Sequence, residues 1–413
     1  MRPHNETATG SHMLVMTIWA ALLLGCTFSA ACAQMPSAPW VGTWAAAPVH
    51  DTSGKSFTKE TLRQIVHASV SGSRVRIHIS NLFGERPLLI EDVHLALRNT
   101  GSSIVPGTDH QLRFRGHISV VIPQGAEVVS DPLPFHLPAL ADVAVSFYLP
   151  KKTVAATYHA SEHLTSYIAA GDVSGKTDLP EAKTTGSDYF LVNLDVQGKD
   201  IRGAVVTLGA SITEGYQATE NTSRRWSDVL AQRLANADLK IGVLNEGISG
   251  NRLLVSGAGD SAESRFERDV LNRPGVRWVI FSDDPINDLG STKPPPTFIE
   301  LIAGLERIIF KAHQKNIQFF CSTLTPYQGA NYWTAEEEST REQFNAFLHD
   351  KQSGCDAVID QDSATHDPAH PARYLPTYDS GDHLHPNDAG HQAIGNAVNP
   401  SLFLQSDSGA MRK

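Results

Sequence analysis

The feature that most constrains the fold is a change in the spacing of apolar residues near residue 200. After this point, short apolar runs alternate with segments whose apolar residues have helical spacing. Residues 204–208 form an apolar run between two glycines, and residues 224–237 follow with helical spacing. Further apolar runs at 276–281 and 317–321 flank a helical segment at 297–314. Repeated alternation of strand and helix predicts a parallel sheet that is covered by helices on both faces.

Residues 40–195 have a different pattern, with short segments typical of β-strands. Residues 74–80 alternate polar and apolar side chains, as a half-buried strand does. Other short apolar runs lie at 93–97, 119–122 and 143–148, separated by Gly, Pro, Asn and Asp. This spacing predicts an all-β domain of the sandwich or jelly-roll type.

Length and composition agree with two globular domains. The chain has 413 residues, of which 41% are hydrophobic, so each half can bury a core. We place a β-domain at residues 36–195 and an α/β domain at residues 203–405. The formal net charge is −10, and the basic residues are not clustered beyond pairs, so nucleic acid is not an expected partner.

The first residues have the pattern of an export signal. Residues 14–24 form an eleven-residue apolar run, which is too short for a membrane-spanning helix of about 20 residues. A small-residue site at residues 31–33 would end a signal peptide over residues 1–33. A lipoprotein-like sequence at 23–26 would instead leave an acylated Cys26. Both readings predict an exported protein, either soluble in the periplasm or medium, or anchored to the outer membrane.

Export would place Cys321 and Cys355 in an oxidising compartment, where cysteines can pair. Cys321 lies late in the apolar run 317–321, whereas Cys355 precedes the run 357–359. If these runs are neighbouring parallel strands, the two thiols lie near opposite ends of the sheet. That separation exceeds the Cα limit of about 7 Å for a disulfide. We therefore expect two unpaired, buried cysteines.

Three motifs at predicted strand ends could serve an acyl-transfer reaction. Ser211 follows the strand 204–208, where its hydroxyl would be exposed near backbone N–H groups. Gly250 follows the next strand and could donate its N–H to an oxyanion, and Asn287 could donate its side-chain amide. Each motif also has a simpler interpretation, namely a helix N-cap at Ser211 and ordinary turns at the other two positions.

A fourth motif, at residues 382–387, contains an Asp three residues before a His. Asp382 could accept a hydrogen bond from one imidazole nitrogen of His385 and leave the other nitrogen to accept a proton. One alternative is a surface turn with two solvated histidines. Another is a metal site formed with His383, which we disfavour because the chain contains no HExxH motif.

Taken together, the motifs in the order Ser, Gly, Asn and Asp-x-x-His resemble the SGNH (GDSL) hydrolase superfamily over residues 205–398. The resemblance implies a flavodoxin-like three-layer α/β/α domain. It also implies Ser211 as nucleophile, Asp382 and His385 as its triad partners, and Ser211, Gly250 and Asn287 as oxyanion-hole donors. The first half, with Trp-Val-Gly-Thr-Trp at 40–44, is similar to the β-domain that precedes the hydrolase domain in a bacterial esterase branch.

The chain departs from this family pattern at two positions. Ala210 stands where the family has Asp before the nucleophile, and Pro285 stands where it has Gly. The first change removes a carboxylate that braces the nucleophile loop, and the second puts the placement of Asn287 in question. We expect Asp283 or Asp284 to supply the missing brace.

The resemblance implies an exported carboxylic ester hydrolase that cleaves short-chain acyl or aryl esters through an acyl-serine, without a metal or cofactor. One alternative is an acetylesterase that removes O-acetyl groups from polysaccharide. The other is a catalytically weak glycan-binding module, suggested by Ala210 and Pro285. The expected partner is a small ester or an acylated glycan, and the sequence does not determine the oligomeric state.

Overall fold

The computed structural model of the protein describes residues 38–179 and 181–404. The predicted signal peptide at residues 1–33, including the alternative anchor residue Cys26, lies outside these ranges. Within the two described ranges, no helix combines the length and apolar character that a membrane span requires. Export and lipid anchoring therefore remain predictions from the sequence.

The first half consists of short strands, as its alternating pattern predicts. The strands are β1 (Val41–Ala45), β2 (Val49–His50), β3 (Ser56–Phe57), β4 (Glu60–His67), β5 (Gly72–Ser80), β6 (Leu88–Leu97), β7 (His110–Gln111), β8 (Ser119–Ile122), β9 (Glu127–Val129), β10 (Leu133–Leu137), β11 (Asp142–Leu149), β12 (Thr153–Val154), β13 (Thr157–His159), β14 (Ser166–Ala170), β15 (Lys183–Thr185), β16 (Asp188–Tyr189) and β17 (Leu191–Gln197).

Two larger antiparallel sheets enclose the core of this half. One has the order β1-β17-β5-β10, with β9 paired to β5, and the other has the order β15-β14-β4-β11-β6-β7, with β8 paired to β6. Val75 and Ile77 of β5 point into the same buried cluster as Val143 and Val145 of β11. Because the inward residues alternate along each strand, the two sheets form a β-sandwich, and the predicted all-β fold is confirmed.

The second half alternates strands and helices around a parallel sheet. The elements are β18 (Gly203–Gly209), α1 (Ser211–Glu214), α2 (Trp226–Asn236), β19 (Ile241–Gly247), α3 (Ala262–Phe266), β20 (Val276–Phe281), α4 (Asp284–Ser291), α5 (Phe298–Gln314), β21 (Gln318–Ser322), α6 (Ala335–Leu348), β22 (Ala357–Ile359), α7 (Gln361–Thr365), β23 (His366–Asp367), β24 (His370–Tyr374) and α8 (Asp388–Ala397).

The parallel sheet has the strand order β19-β18-β20-β21-β22. This order is that of the flavodoxin-like fold, in which ligands bind beyond the carboxyl ends of the strands where the order reverses. The reversal lies between β18 and its neighbours β19 and β20. The predicted α/β architecture is confirmed, and it places the site at the ends of these three strands.

Strand β1 links the two halves, because its side chains enter both cores. Val41 and Ala45 pack in the core of the α/β half, whereas Trp44 packs inside the β-sandwich. The edge of the parallel sheet is also covered, since the N–H of Val243 in β19 donates to Oγ of Ser69 over 2.8 Å. An edge strand that is covered in this way has fewer free N–H groups.

The expectation that Cys321 and Cys355 stay unpaired is wrong. The structure joins them in a disulfide with their Cα atoms 5.8 Å apart. The expectation treated Cys355 as an extended continuation of β22, but that strand begins only at Ala357. The chain turns at Gly354, where φ is 77°, and this turn brings Cys355 beside the end of β21.

Candidate active site

The five predicted site residues converge at the carboxyl ends of β18, β19 and β20. Ser211, Gly250, Asn287, Asp382 and His385 all line one cavity of about 360 Å³. Ser211 begins α1, Gly250 lies in the loop after β19, and Asn287 lies on α4 after β20. The loop before α8 brings Asp382 and His385 to the same cavity.

Ser211, His385 and Asp382 form a continuous chain of hydrogen bonds. Oγ of Ser211 lies 2.9 Å from Nε2 of His385, and Nδ1 of that imidazole lies 2.7 Å from Oδ2 of Asp382. The carboxylate therefore favours the tautomer with a proton on Nδ1. Nε2 is then free to accept the hydroxyl proton of Ser211, which is the arrangement of an activated serine nucleophile.

The carboxylate of Asp382 is held in its charged form by its own loop. Its Oδ1 accepts hydrogen bonds from the N–H of Leu384 over 2.9 Å and of His385 over 2.8 Å. Partial burial acts to raise the pKa of Asp382, but the bonds from the His385 side chain and these two backbone groups lower it below its usual value. Asp382 is thus suited to stabilise an imidazolium on His385.

The nucleophile loop is braced by Asp283, which confirms one of the two expected substitutes for the family carboxylate. Oδ1 of Asp283 accepts from the N–H of Ala210 over 3.0 Å and from Oγ1 of Thr213 over 2.6 Å. Its Oδ2 accepts from the N–H of Ile212 over 2.8 Å. The carboxylate reaches the loop from the end of β20 instead of from position 210, so the loss of Asp at Ala210 is compensated.

This bracing requires glycine at position 209. A Cβ on Gly209 would lie 2.1 Å from Oγ1 of Thr213 and 2.4 Å from Oδ1 of Asp283. Atoms at such distances overlap, so a side chain here would displace the carboxylate from the loop.

Asn287 lies in a helix, not in the turn that was its simpler interpretation, and Pro285 is compatible with its position. Pro285 occupies the first turn of α4, where a missing N–H costs no helical hydrogen bond. Nδ2 of Asn287 donates to the carbonyl of Asn251 over 3.0 Å, and its Oδ1 accepts from the hydroxyl of Tyr332 over 3.2 Å. Because an amide has two N–H bonds, one remains for an oxyanion.

The loop that carries Gly250 is fixed from below by Arg265, a fully buried residue on α3. Its Nε donates to the Asn251 side chain over 3.1 Å, and its Nη1 donates to the carbonyl of Glu246 over 2.7 Å. Nη2 donates to the carbonyl of Gly209 over 3.1 Å. One guanidinium thus joins the ends of β18 and β19 to the oxyanion loop.

Asp288 holds the far end of the same loop. Its carboxylate accepts from the N–H of Leu253 over 2.5 Å and from the N–H of Leu254 over 3.1 Å. Burial raises the pKa of Asp288 to about 6, although these two N–H groups act in the opposite direction.

Among the residues that the structure describes, the N–H groups of Ser211 and Gly250 make no backbone hydrogen bond, which leaves both available as donors.

The metal alternative at residues 382–387 is not supported by the arrangement of the side chains. His383 turns away to a separate carboxylate, with its Nδ1 2.6 Å from Oδ2 of Asp379, while His385 pairs with Asp382. Within residues 38–179 and 181–404, no group of three or more His, Cys, Asp or Glu side chains is placed to hold a metal ion.

Sequence reasoning missed three residues of the site. Arg265 lies on a short helix that the sequence pattern did not predict, and Tyr332 lies in a loop. Tyr216 is 44% exposed, and its ring centroid lies 4.5 Å from that of His385. No local spacing distinguishes these side chains from ordinary core or surface residues, because their partners are distant in the chain.

Comparison with known proteins agrees with this geometry. Residues 207–393 match the model of the GDSL-like lipase/acylhydrolase family, a range that includes all five predicted site residues. None of the curated proteins compared with the chain matches it.

Several solved structures are similar to about half of the chain. One, described as a lipolytic protein of the G-D-S-L family from Desulfitobacterium hafniense, is 23% identical, with 47% of this chain and 97% of that chain covered and a TM-score of 0.37. An acetylxylan esterase from Geobacillus stearothermophilus is 19% identical, with 47% and 91% covered and a TM-score of 0.37. An aryl esterase from M. smegmatis is 15% identical, with 50% and 99% covered and a TM-score of 0.38.

Proposed function

We propose that the protein hydrolyses carboxylic esters through an acyl-serine intermediate, since residues 207–393 match the GDSL-like lipase/acylhydrolase family. The observation that carries this proposal is the 2.9 Å contact between Oγ of Ser211 and Nε2 of His385. The contact is short enough for the imidazole to act as a general base toward the hydroxyl.

The first half-reaction forms the acyl-enzyme. Nε2 of His385 takes the proton of Ser211 as Oγ bonds to the ester carbonyl carbon, and the carbonyl oxygen becomes an oxyanion. The N–H groups of Ser211 and Gly250 and the amide of Asn287 are the proposed donors to that oxyanion. Collapse breaks the bond to the alcohol oxygen, which leaves with the proton from His385.

The second half-reaction releases the acid. Water attacks the acyl carbon while His385 takes its proton, and the same three donors stabilise the second oxyanion. Collapse returns the proton to Oγ of Ser211 and releases the carboxylic acid. No metal or cofactor takes part in either half-reaction as proposed.

The size of the cavity favours esters with a short acyl chain. Its volume is about 360 Å³, and beyond the site residues it is lined by Ala330, Tyr332 and Leu384. A pocket of this size lies at the small end of the range for ligand sites. Short-chain acyl or aryl esters are therefore the proposed substrates.

A second candidate is an acetylesterase that acts on polysaccharide. The observation in its favour is Tyr216, whose half-exposed ring lies beside His385 at the mouth of the cavity. An exposed aromatic ring offers an apolar face against which a sugar ring can pack. Comparing kcat/KM on acetylated xylan with that on p-nitrophenyl acetate distinguishes the two substrate classes.

Export is part of the same proposal, and the Cys321–Cys355 disulfide supports it, because structural disulfides persist in oxidising compartments. Expression in a bacterial host followed by mass analysis of the mature amino terminus tests it. A chain that begins at Gln34 or at an acylated Cys26 is expected, and an uncleaved chain in the cytoplasm would contradict it.

The proposed reaction is tested by Ser211→Ala and His385→Ala on p-nitrophenyl acetate. Each variant is expected to lose at least about 10³-fold in kcat, since each removes a group that acts as one unit with the other. His383→Ala is the matched control, because this histidine lies on the same loop but pairs with Asp379. Full activity in either test variant would contradict the proposal. It would also be contradicted if the wild-type chain had no esterase activity and its Ser211 were not labelled by a fluorophosphonate. The latter result would favour a glycan-binding module.

A further inference from the structure

A buried series of polar groups leads from the β-domain to the loop that carries Gly250. The hydroxyl of Ser249 donates to Oε2 of Glu214, the last residue of α1. The other oxygen of this carboxylate, Oε1, lies 3.5 Å from Nε2 of His159 on β13. Three side chains thus connect the β-domain, the helix that begins with Ser211, and the residue next to Gly250.

The surroundings of His159 favour its protonated form. Its Nδ1 donates to the carbonyl of Ala47 over 2.9 Å, and its Nε2 faces Oε1 of Glu162 at 3.7 Å as well as Glu214. Complete burial acts to lower the pKa of His159, but the two carboxylates outweigh burial and raise it above the usual value. Burial raises the pKa of Glu214 above its usual value, and the charge on His159 and the bond from Ser249 act in the opposite direction.

The end of β19, just before the loop that carries Gly250, packs directly on the backbone of α1. A Cβ on Gly247 would lie 2.2 Å from the backbone nitrogen of Glu214. The side chain of Asn245 also donates to the carbonyl of Thr213 over 2.7 Å. These contacts hold β19 against α1, and the hydrogen bond from Ser249 joins the Glu214 side chain to the residue before Gly250.

We propose that His159 of the β-domain is a positioning residue for ester hydrolysis, which acts through Glu214 and Ser249 to hold the N–H of Gly250 where the oxyanion forms. The inference rests on the proposed function and extends it. It makes the β-domain part of the catalytic unit, in addition to any role in binding.

The expected effect falls on kcat and not on KM. The donor of Gly250 is needed when the negative charge develops, whereas the neutral ester makes little use of it. Complete loss of an oxyanion donor costs about 10²–10³-fold in rate, so partial misplacement is expected to lower kcat about tenfold. KM for p-nitrophenyl acetate is expected to change less than threefold.

Two substitutions of His159 separate positioning from simple structural support. Asn reproduces the Nδ1 donor to the carbonyl of Ala47 but leaves nothing opposite Glu214, whereas Gln places an N–H near the position of Nε2. We expect His159→Asn to lower kcat about tenfold and His159→Gln to retain more of it. If the bond to Ala47 is what matters, the order of the two variants is reversed, and the inference is overturned.

A double-mutant cycle tests the connection through Glu214. His159 and Ser249 face different oxygens of the Glu214 carboxylate, so independent roles predict additive losses in kcat. The proposal predicts that Ser249→Ala lowers kcat about tenfold alone and at most twofold further in the His159→Asn background. If the His159 variants do not fold, Ser249→Ala alone decides, and an unchanged kcat for this variant overturns the inference.

His78→Gln is the matched control. His78 also lies buried between two carboxylates, with its nitrogens 2.7 Å from Glu127 and 2.8 Å from Asp195, and both of these partners are residues of the β-domain. It is expected to lower the melting temperature and leave kcat per labelled active site unchanged. The two proposals fail in different ways. A wild-type chain without esterase activity would contradict the proposed ester hydrolysis. An active wild-type chain whose variants lose kcat additively would contradict only the role of His159.

Discussion

Asp283 is the point at which the nucleophile loop can be perturbed without touching a reacting group. Its carboxylate accepts three hydrogen bonds, from the N–H of Ala210, the hydroxyl of Thr213 and the N–H of Ile212. Asp283→Asn keeps the shape of the side chain but leaves one acceptor oxygen. In the better orientation the new NH2 group points at the N–H of Ile212, so two donors face each other.

The magnitude follows from that lost acceptor. A hydrogen bond to a charged group contributes about 1.5–3 kcal/mol, and a buried donor without a partner costs about 1–3 kcal/mol. These effects overlap, so Asp283→Asn is expected to lower the free energy of unfolding by about 2–4 kcal/mol. A displacement of about 1 Å at a reacting group costs roughly 10²-fold in rate, so kcat is expected to fall about 10- to 100-fold.

Urea unfolding and p-nitrophenyl acetate kinetics measure both effects, with Asp284→Asn as the matched control. Asp284 is the next residue, is fully buried, and its carboxyl oxygens accept no hydrogen bond in the described part of the chain. Burial raises its pKa to about 8, so it is mostly neutral at pH 7 and an amide is a close substitute. Because folding at pH 7 requires Asp284 to take up a proton and an amide needs none, we expect this control not to lower the free energy of unfolding. Equal losses in the two variants would refute the bracing role of Asp283.

Three further predictions concern pH, the oxyanion and the disulfide. Folded Asp284 keeps its proton up to about pH 8 and the unfolded side chain ionises near 3.8, so the folded state binds more protons between these values. As pH rises from 4.5 to 8, the free energy of unfolding of wild type should therefore fall relative to that of Asp284→Asn, by up to about 1.4 kcal/mol per pH unit. If urea titrations show the same pH dependence of stability for both proteins, this prediction is wrong. Asn287→Ala should lower kcat about 10²–10³-fold with little change in KM, and a loss below threefold in steady-state kinetics would remove the amide from the oxyanion hole. Replacing both Cys321 and Cys355 with Ser removes a disulfide between residues 34 positions apart in the sequence. The free energy of unfolding should fall by about 3–4 kcal/mol while kcat at 25 °C is unchanged. An unchanged urea midpoint would show that the disulfide contributes no stability.

Local sequence patterns were sufficient to predict the parallel sheet and the site residues that follow its strands. The run 276–281 was predicted as a strand and is β20, and the helix predicted at 297–314 begins one residue later, after its N-cap Thr297. Such elements depend on neighbours in sequence, namely apolar spacing and capping side chains. Ser211 and His385 could be selected for a similar reason, since strand-end position and short spacing are local properties.

The supporting contacts could not be predicted in the same way. Arg265 joins Glu246, Gly209 and Asn251, which come from separate strands and loops. Cys355 was misplaced because a turn at Gly354 depends on how the preceding segment packs, not on the strand that follows. Asp283 and Asp284 were the two candidates for the carboxylate that holds the nucleophile loop. Only the orientation of the Asp283 side chain toward the loop after β18 distinguishes it from Asp284.

Covalent labelling tests the central claim most directly. A fluorophosphonate reacts with an activated serine hydroxyl, and peptide mass analysis identifies the modified residue. We predict a single adduct on Ser211 in the full chain and a labelling rate at least about 10³-fold lower in His385→Ala. An adduct on a different serine, or equal labelling of Ser211 with and without the imidazole, would contradict activation of this hydroxyl by His385.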